Sequence, residues 1–187
     1  CIRLNAHALA RYAALCQQAK MVPIVEPEVL MDGSHDIDRC FDVTSEVLKE
    51  VFAELNNQKV ALNGIVLKPN MVISGMDAAN RADIPTVASA TVKCLSENVP
   101  DEVPGIAFLS GGQTSEEATG HLNAMNEMGP HPWQLTFSYG RALQAEPLNA
   151  WSGEDENIPA AQESFIKRSR LNSLARTGNY HPQMEEA

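Results

Sequence analysis

The sequence predicts an α/β fold with a parallel sheet, and three observations carry that prediction. Four short apolar runs recur along the chain, each near-continuous rather than alternating, as strands buried on both faces of a parallel sheet read. Amphipathic helical segments separate them. The polar residues that end the first three runs, Glu26, Lys68 and Ser110, stand 42 residues apart, and Arg141 follows after a further 31. Regular βα units imply right-handed crossovers between parallel strands. Two architectures accept the pattern: an open doubly wound sheet and a (βα)8 barrel. A barrel needs about eight such units in roughly 250 residues. The 187 residues carry four, so the chain is expected to be a small open sheet or half of a barrel whose first half is absent.

The elements follow in order. Leu9, Tyr12, Ala13 and Cys16 mark a first helix. The chain opens at Cys1 with helical sequence almost at once, which reads as a cut into a longer protein. Val22-Pro-Ile-Val-Glu26 is the first strand. A long helix then places Ile37, Cys40, Phe41, Thr44, Val47, Leu48, Val51, Phe52 and Leu55 at i, i+3, i+4 spacing. Gly64-Ile-Val-Leu-Lys68 is the second strand, and Asp83 and Pro85 start a helix carrying Ile84, Val87, Ala88, Thr91 and Leu95. Gly105-Ile-Ala-Phe-Leu-Ser110 is the third strand, followed by a capping box at Thr114-Ser-Glu-Glu117 and a helix burying Ala118, Leu122 and Met125. Trp133-Gln-Leu-Thr-Phe-Ser-Tyr139 is the fourth. A short helix over Ala142–Ala145 should stop at Pro147, and another should run from about Ile158 to Ala175. The polar stretch 176–187 reads as a mobile tail. Trp133, Trp151 and the seven methionines read as packing.

Composition bounds the function. With 44% hydrophobic residues, the chain can build one core, and its length predicts a single domain over 1–187. The net charge of −10 argues against nucleic acid, which needs a basic face. No run of 18 apolar residues is present, so no membrane-spanning helix is expected. Cys1, Cys16, Cys40 and Cys94 are irregularly spaced and form no CxxC, which suits free thiols in a reducing cytosol. The five histidines are scattered, none with a second ligand at i, i+4, so neither a metal nor another cofactor is expected.

The chemistry should sit where the strands end. Polar side chains at the carboxyl ends of successive parallel strands converge on one face. Lys68 precedes Pro69, which holds it extended and in the strand. Apolar surroundings there would disfavour its charge and yield the neutral amine that attacks a carbonyl. Alone, a lysine at a strand tip more often snorkels into water. Glu26 and Glu28 flank Pro27 and share a side if the extension continues, so one of them is suited to carry a proton. Ser110-Gly111-Gly112-Gln113 is either a tight βα turn or an anion cradle at a helix start. Arg141, after Ser138-Tyr139-Gly140, is a cation at a helix start, unfavourable there unless an anion binds. A lysine, a neighbouring acid and two anion sites on one rim describe an imine-forming enzyme for a phosphorylated carbonyl compound.

Four segments resemble a known family. Val22-Pro-Ile-Val-Glu-Pro-Glu28, Leu67-Lys-Pro-Asn-Met-Val72, Phe108-Leu-Ser-Gly-Gly-Gln113 and Phe137-Ser-Tyr-Gly-Arg-Ala-Leu-Gln144 are similar, in order and spacing, to class I fructose-bisphosphate aldolases. The resemblance implies strands five to eight of a (βα)8 TIM barrel plus a C-terminal helical extension. It implies that Lys68 is the Schiff-base lysine, that Glu26 is the acid/base residue with Glu28 beside it, and that Ser110, Gly111, Gly112, Ser138, Gly140 and Arg141 hold phosphate. The implied activity is lyase chemistry of cytoplasmic glycolysis: reversible cleavage of fructose 1,6-bisphosphate to dihydroxyacetone phosphate and glyceraldehyde 3-phosphate, without a metal, by a homotetramer when full length. The family's early strands add an aspartate and basic residues that this chain lacks, so the chain alone is expected to be inactive and poorly stable. Members that end in a functional tyrosine have a longer tail than Met184-Glu-Glu-Ala187. The competing expectations are a non-catalytic phosphosugar-binding or scaffold protein derived from the fold, and a Schiff-base aldolase for another phosphorylated sugar.

Overall fold

Proline placement explains how short the first strands are. In the computed structural model, which describes residues 1–186, β1 is Ile24–Val25 and β2 is Val66–Leu67, while β3 is Gly105–Phe108 and β4 is Gln134–Phe137. Pro23, Pro27 and Pro69 lack the N–H that a ladder needs. The pairing continues past the formal ends: Val66 N–H donates to the Pro23 carbonyl at 3.0 Å and Lys68 N–H to the Val25 carbonyl at 2.7 Å. All pairs are parallel, in the order β1-β2-β3-β4.

Among the described residues six α-helices accompany the sheet: α1 (Ile2–Gln18), α2 (Ile37–Asn57), α3 (Ile84–Asn98), α4 (Ser115–Glu127), α5 (Arg141–Trp151) and α6 (Ile158–Ala175). Their starts are chemically marked. Asp36 and Asp83 each accept a hydrogen bond from the amide three residues on, and Thr114 with Glu117 forms a reciprocal capping box. Val25, Leu67, Ile106, Phe108 and Leu135 pack against Leu48, Val51 and Leu55 of α2, Val87 and Leu95 of α3, and Leu122 and Met125 of α4 within one core. The other sheet face is less covered than the apolar runs suggested. Ile24 is 48% exposed, and Val66 and Thr136 are only partly buried. The second face is open at Ile24 of β1 and partly covered at Val66 and Thr136, whereas Ile106, Ala107 and Phe108 bury β3 on both faces.

Three further expectations are corrected. The buried stripe of α1 is Ala6, Ala10 and Ala13; Tyr12 lies 46% exposed. The helix after β4 does not stop at Pro147 but runs through it to Trp151, ending at Ser152 in the left-handed region (φ 53°). Packing of α5 along α6 compensates the backbone bond that proline removes. Trp133 is buried and donates to the Pro100 carbonyl at 3.0 Å, whereas Trp151 is 41% exposed and packs only partly.

Polar composition suggested mobility over 176–187, yet residues 176–186 dock. Tyr180 is buried and its amide donates to Asn123 Oδ1 at 2.9 Å. Glu185, in the 3-10 turn Pro182–Glu186, pairs with Arg168 at 2.7 Å. Ala187 lies outside the described residues.

Candidate active site

Because all four strands run the same way, Glu26, Lys68, Ser110 and the Ser138–Arg141 segment leave the sheet at the same edge. Cross-links between successive loops join them into a rim. Lys68 Nζ sits 2.9 Å from Glu26 Oε1, with the lysine side chain 20% exposed and the glutamate 42%. The amine therefore has partial burial and, in Glu26, the neighbouring acid that the sequence reading placed on the same rim. A separation of 2.9 Å is a proton-transfer distance.

Glu28 reaches the next loop but one. Its Oε1 lies 3.3 Å from where a Cβ on Gly111 would project, so the carboxylate and the glycine turn approach closely because the glycine is bare. Glu26 and Glu28 both line a cavity of about 570 Å³ between α1, α2 and the loop after β1. It opens beside β1, which has a sheet neighbour on one side only.

Ser110–Gln113 is a β-turn closed by Gln113 N–H to the Ser110 carbonyl, 3.2 Å. Gly112, third in the turn, has φ 73°, the sign a type II turn requires there. Among the described residues, neither the Gly111 nor the Gly112 amide is taken by a protein acceptor. The same holds for the amides of Gly140 and Arg141 at the start of α5. The two groups are bridged where Ala142 N–H donates to Ser110 Oγ at 3.4 Å. Ser138 is fixed through its own amide to the Phe108 carbonyl at 2.8 Å. Arg141 is exposed and lines a second cavity, of about 430 Å³, with Gln113, Thr114 and Glu116. Unclaimed amides in a glycine turn and at a helix start are donors of the kind that cradle anions.

Gly112 has no room for a side chain, since a Cβ would stand 2.7 Å from the Met31 Cβ. Gly112→Ala combines that overlap with a left-handed backbone, at a cost of roughly 1–3 kcal/mol. We expect it to weaken inorganic phosphate binding by more than tenfold with the Lys68–Glu26 pair intact; unchanged phosphate affinity, read by calorimetry, would contradict the cradle.

Sequence reasoning passed over three residues that hold these loops. Asn70 is buried; its Oδ1 accepts from Val29 N–H at 3.0 Å, and its amide donates to Thr44 Oγ1 at 3.0 Å and to the Met71 carbonyl at 3.1 Å. It thus clamps the loop after β1 to the loop after β2. Arg81 donates to the Gly112 carbonyl at 2.8 Å. His121 hydrogen-bonds Gln113 at 2.7 Å, and burial pushes its imidazole down to about 4. None matches a motif: Asn70 and Arg81 reach partners 41 and 31 residues away, and His121 reaches back eight residues from α4 to the turn before it.

The comparisons agree over the whole chain. The sequence model of the glycolytic class I fructose-bisphosphate aldolases matches residues 1–187. The chain is 57% identical over 180 residues to fructose-bisphosphate aldolase B of Gallus gallus, covering 96% of this chain and 50% of that protein. It is 51% identical to the cytosolic fructose-bisphosphate aldolase 4 of Arabidopsis thaliana, covering 96% and 46%. A co-crystal structure of Plasmodium falciparum fructose-bisphosphate aldolase, in complex with TRAP and a small-molecule inhibitor, superposes with a TM-score of 0.94 at 50% identity, covering 96% of this chain and 52% of that one. The chain spans about half the length of the relatives it matches. Its four parallel βα units are accordingly an arc of a TIM barrel.

Proposed function

The chain belongs to the class I fructose-bisphosphate aldolase family, and from that premise we propose that the whole protein cleaves fructose 1,6-bisphosphate reversibly through an imine on Lys68. The observation that carries this reading is the Lys68–Glu26 pair at 2.9 Å, on the same rim as the amides of the Ser110–Gly112 turn. One group forms a covalent bond to a ketone; the other holds a phosphate.

Lys68 passes a proton to Glu26 across their 2.9 Å contact and adds through Nζ to the ketone carbon. The oxygen takes up that proton and the one the nitrogen sheds on adding, and it leaves as water when the C=N bond forms. The protonated imine then accepts the electron pair of the breaking carbon–carbon bond. The hydroxyl proton of the leaving carbon passes to a rim carboxylate, and glyceraldehyde 3-phosphate departs. The resulting enamine takes a proton, and water hydrolyses the imine to free dihydroxyacetone phosphate and Lys68. Glu28, whose Oε1 lies beside Gly111, is a second carboxylate on the rim. Ser110, Gly111, Gly112, Ser138, Gly140 and Arg141 hold the phosphate of the ketone half, through amides, hydroxyls and one fixed cation. We place the enzyme in the cytoplasm and its whole form as a homotetramer, both by family likeness.

Borohydride trapping tests the reading. Dihydroxyacetone phosphate plus reductant should leave a stable secondary amine on the whole protein, and peptide mass spectrometry should find it at Lys68. Label at any other lysine, or none, would overturn it. A non-catalytic phosphosugar binder of this fold would bind the ketose and remain unlabelled.

A further inference from the structure

Arg81 stands outside every motif that the sequence offered, yet it grips the anion turn. It lies near the end of the loop that Lys68 begins, and its backbone is anchored: Ala82 N–H donates to the buried Ser74 Oγ at 3.1 Å, and Asp83 caps α3. From that fixed point the guanidinium crosses to the loop after β3. Nη2 donates to the Gly112 carbonyl at 2.8 Å, and Nη1 meets Glu117 Oε1 at 3.4 Å. Glu117 is the residue that closes the capping box, accepting from Thr114 N–H at 2.9 Å.

The trans peptide between Gly112 and Gln113 is planar, so its carbonyl and its N–H point opposite ways. Arg81 holds the carbonyl end; the Ser110 carbonyl holds the N–H end at 3.2 Å. Met31 presses on Gly112 from a third side. A turn held at these points leaves its remaining amides, Gly111 and Gly112, without an acceptor among the described residues.

We infer that Arg81 is a positioning residue for phosphate: it sets the orientation of the Gly111–Gly112 amides and thereby tunes affinity for the phosphate end of the substrate. This rests on reading the Ser110–Gly112 turn as an anion site. It makes no bond to the reacting carbon, so its loss should appear in binding rather than in chemistry.

The test uses the whole protein, with inorganic phosphate as the direct probe and fructose 1,6-bisphosphate for kinetics. Arg81→Met should weaken phosphate binding by about tenfold, the loss of one charge-assisted hydrogen bond. KM should rise by a similar factor while kcat stays within about twofold and the melting temperature holds. Arg81→Lys, which keeps a charged donor, should recover most of the affinity. If Arg81→Met fails to fold, Arg81→Gln carries the same expectation. Equal phosphate affinity in the wild type and the folded variant overturns the inference, as does a wild type that binds no phosphate. Failure of the aldolase reading would show elsewhere, as absent borohydride label at Lys68, and leaves the phosphate titration decisive for Arg81.

Discussion

Lys68→Met should fold, bind phosphosugar and cleave none of it at a measurable rate. Methionine keeps the length of the stem and removes only the nitrogen, so packing beside β2 is retained. What disappears is the covalent route. Without an imine, the electron pair of the breaking bond has no acceptor, because no other group on the described rim pairs with Glu26 as Lys68 does. We expect a loss of about 10⁵-fold in kcat, or ~7 kcal/mol of transition-state stabilisation, comparable with deletion of other covalent nucleophiles. Phosphate affinity should change by less than threefold, since the Gly111 and Gly112 amides do not depend on the amine. Glu26 is then left without its partner, but at 42% exposure it is solvated, so the variant should not lose its fold. A Lys68→Met protein cleaving at even one tenth of the wild-type rate would leave the imine mechanism without support.

Much of this site could be read before any coordinates, for reasons specific to its residues. Each strand ends in a polar residue, and the first two of those residues precede proline, which marks the boundary chemically. Parallel strands then bring the ends together with no need for tertiary detail. That logic reached Glu26, Lys68, Ser110 and Arg141, and the observed Lys68–Glu26 contact follows from β1 and β2 being neighbours. It did not reach Arg81, whose loop partner Gly112 lies 31 residues away, Asn70, which joins Val29 and Thr44 from 41 and 26 residues away, or Arg168, whose partners lie 17 residues away or more. Periodicity reports which face of a helix is buried; it carries nothing about which loop meets which. The α5 error has a similar origin. Pro147 is a local stop signal, and the packing of α5 on α6 that overrides it is not local. The tail read as mobile because polar residues usually stay in water. Here one of them, Glu185, finds a buried cation instead.

That buried cation should be the costliest side chain to remove. Arg168 is 2% exposed and makes a fork to Glu185, Nη1 to Oε1 at 2.7 Å and Nη2 to Oε2 at 2.9 Å. The same guanidinium donates to Glu146 of α5 at 3.1 Å and to Thr119 of α4 at 3.2 Å. Tyr180 adds its hydroxyl to Glu185 Oε1 at 2.9 Å. One side chain on α6 therefore joins α4, α5 and the C-terminal turn. Burial opposes its charge, and the two glutamates more than offset that, raising the guanidinium above its ordinary value. Arg168→Met keeps the stem but leaves Glu185, at 14% exposure, without a counter-charge. Breaking a buried pair from one side costs about 3–5 kcal/mol. For a domain of this size that is a fall of roughly 10 °C in melting temperature. The loss should be uneven. Limited proteolysis should release the segment after Arg176 first, while the Lys68–Glu26 pair, on other elements, keeps its borohydride reactivity at low temperature. Glu185→Gln should cost less, because the amide still accepts from Arg168 and Glu146 remains. If Arg168→Met melted within a degree or two of the wild type and its tail resisted protease equally, the four-element clamp would contribute nothing, and the docking of residues 176–186 would rest on Tyr180 with Asn123, the packing of Met184 and the Lys167 bond to the Glu185 carbonyl.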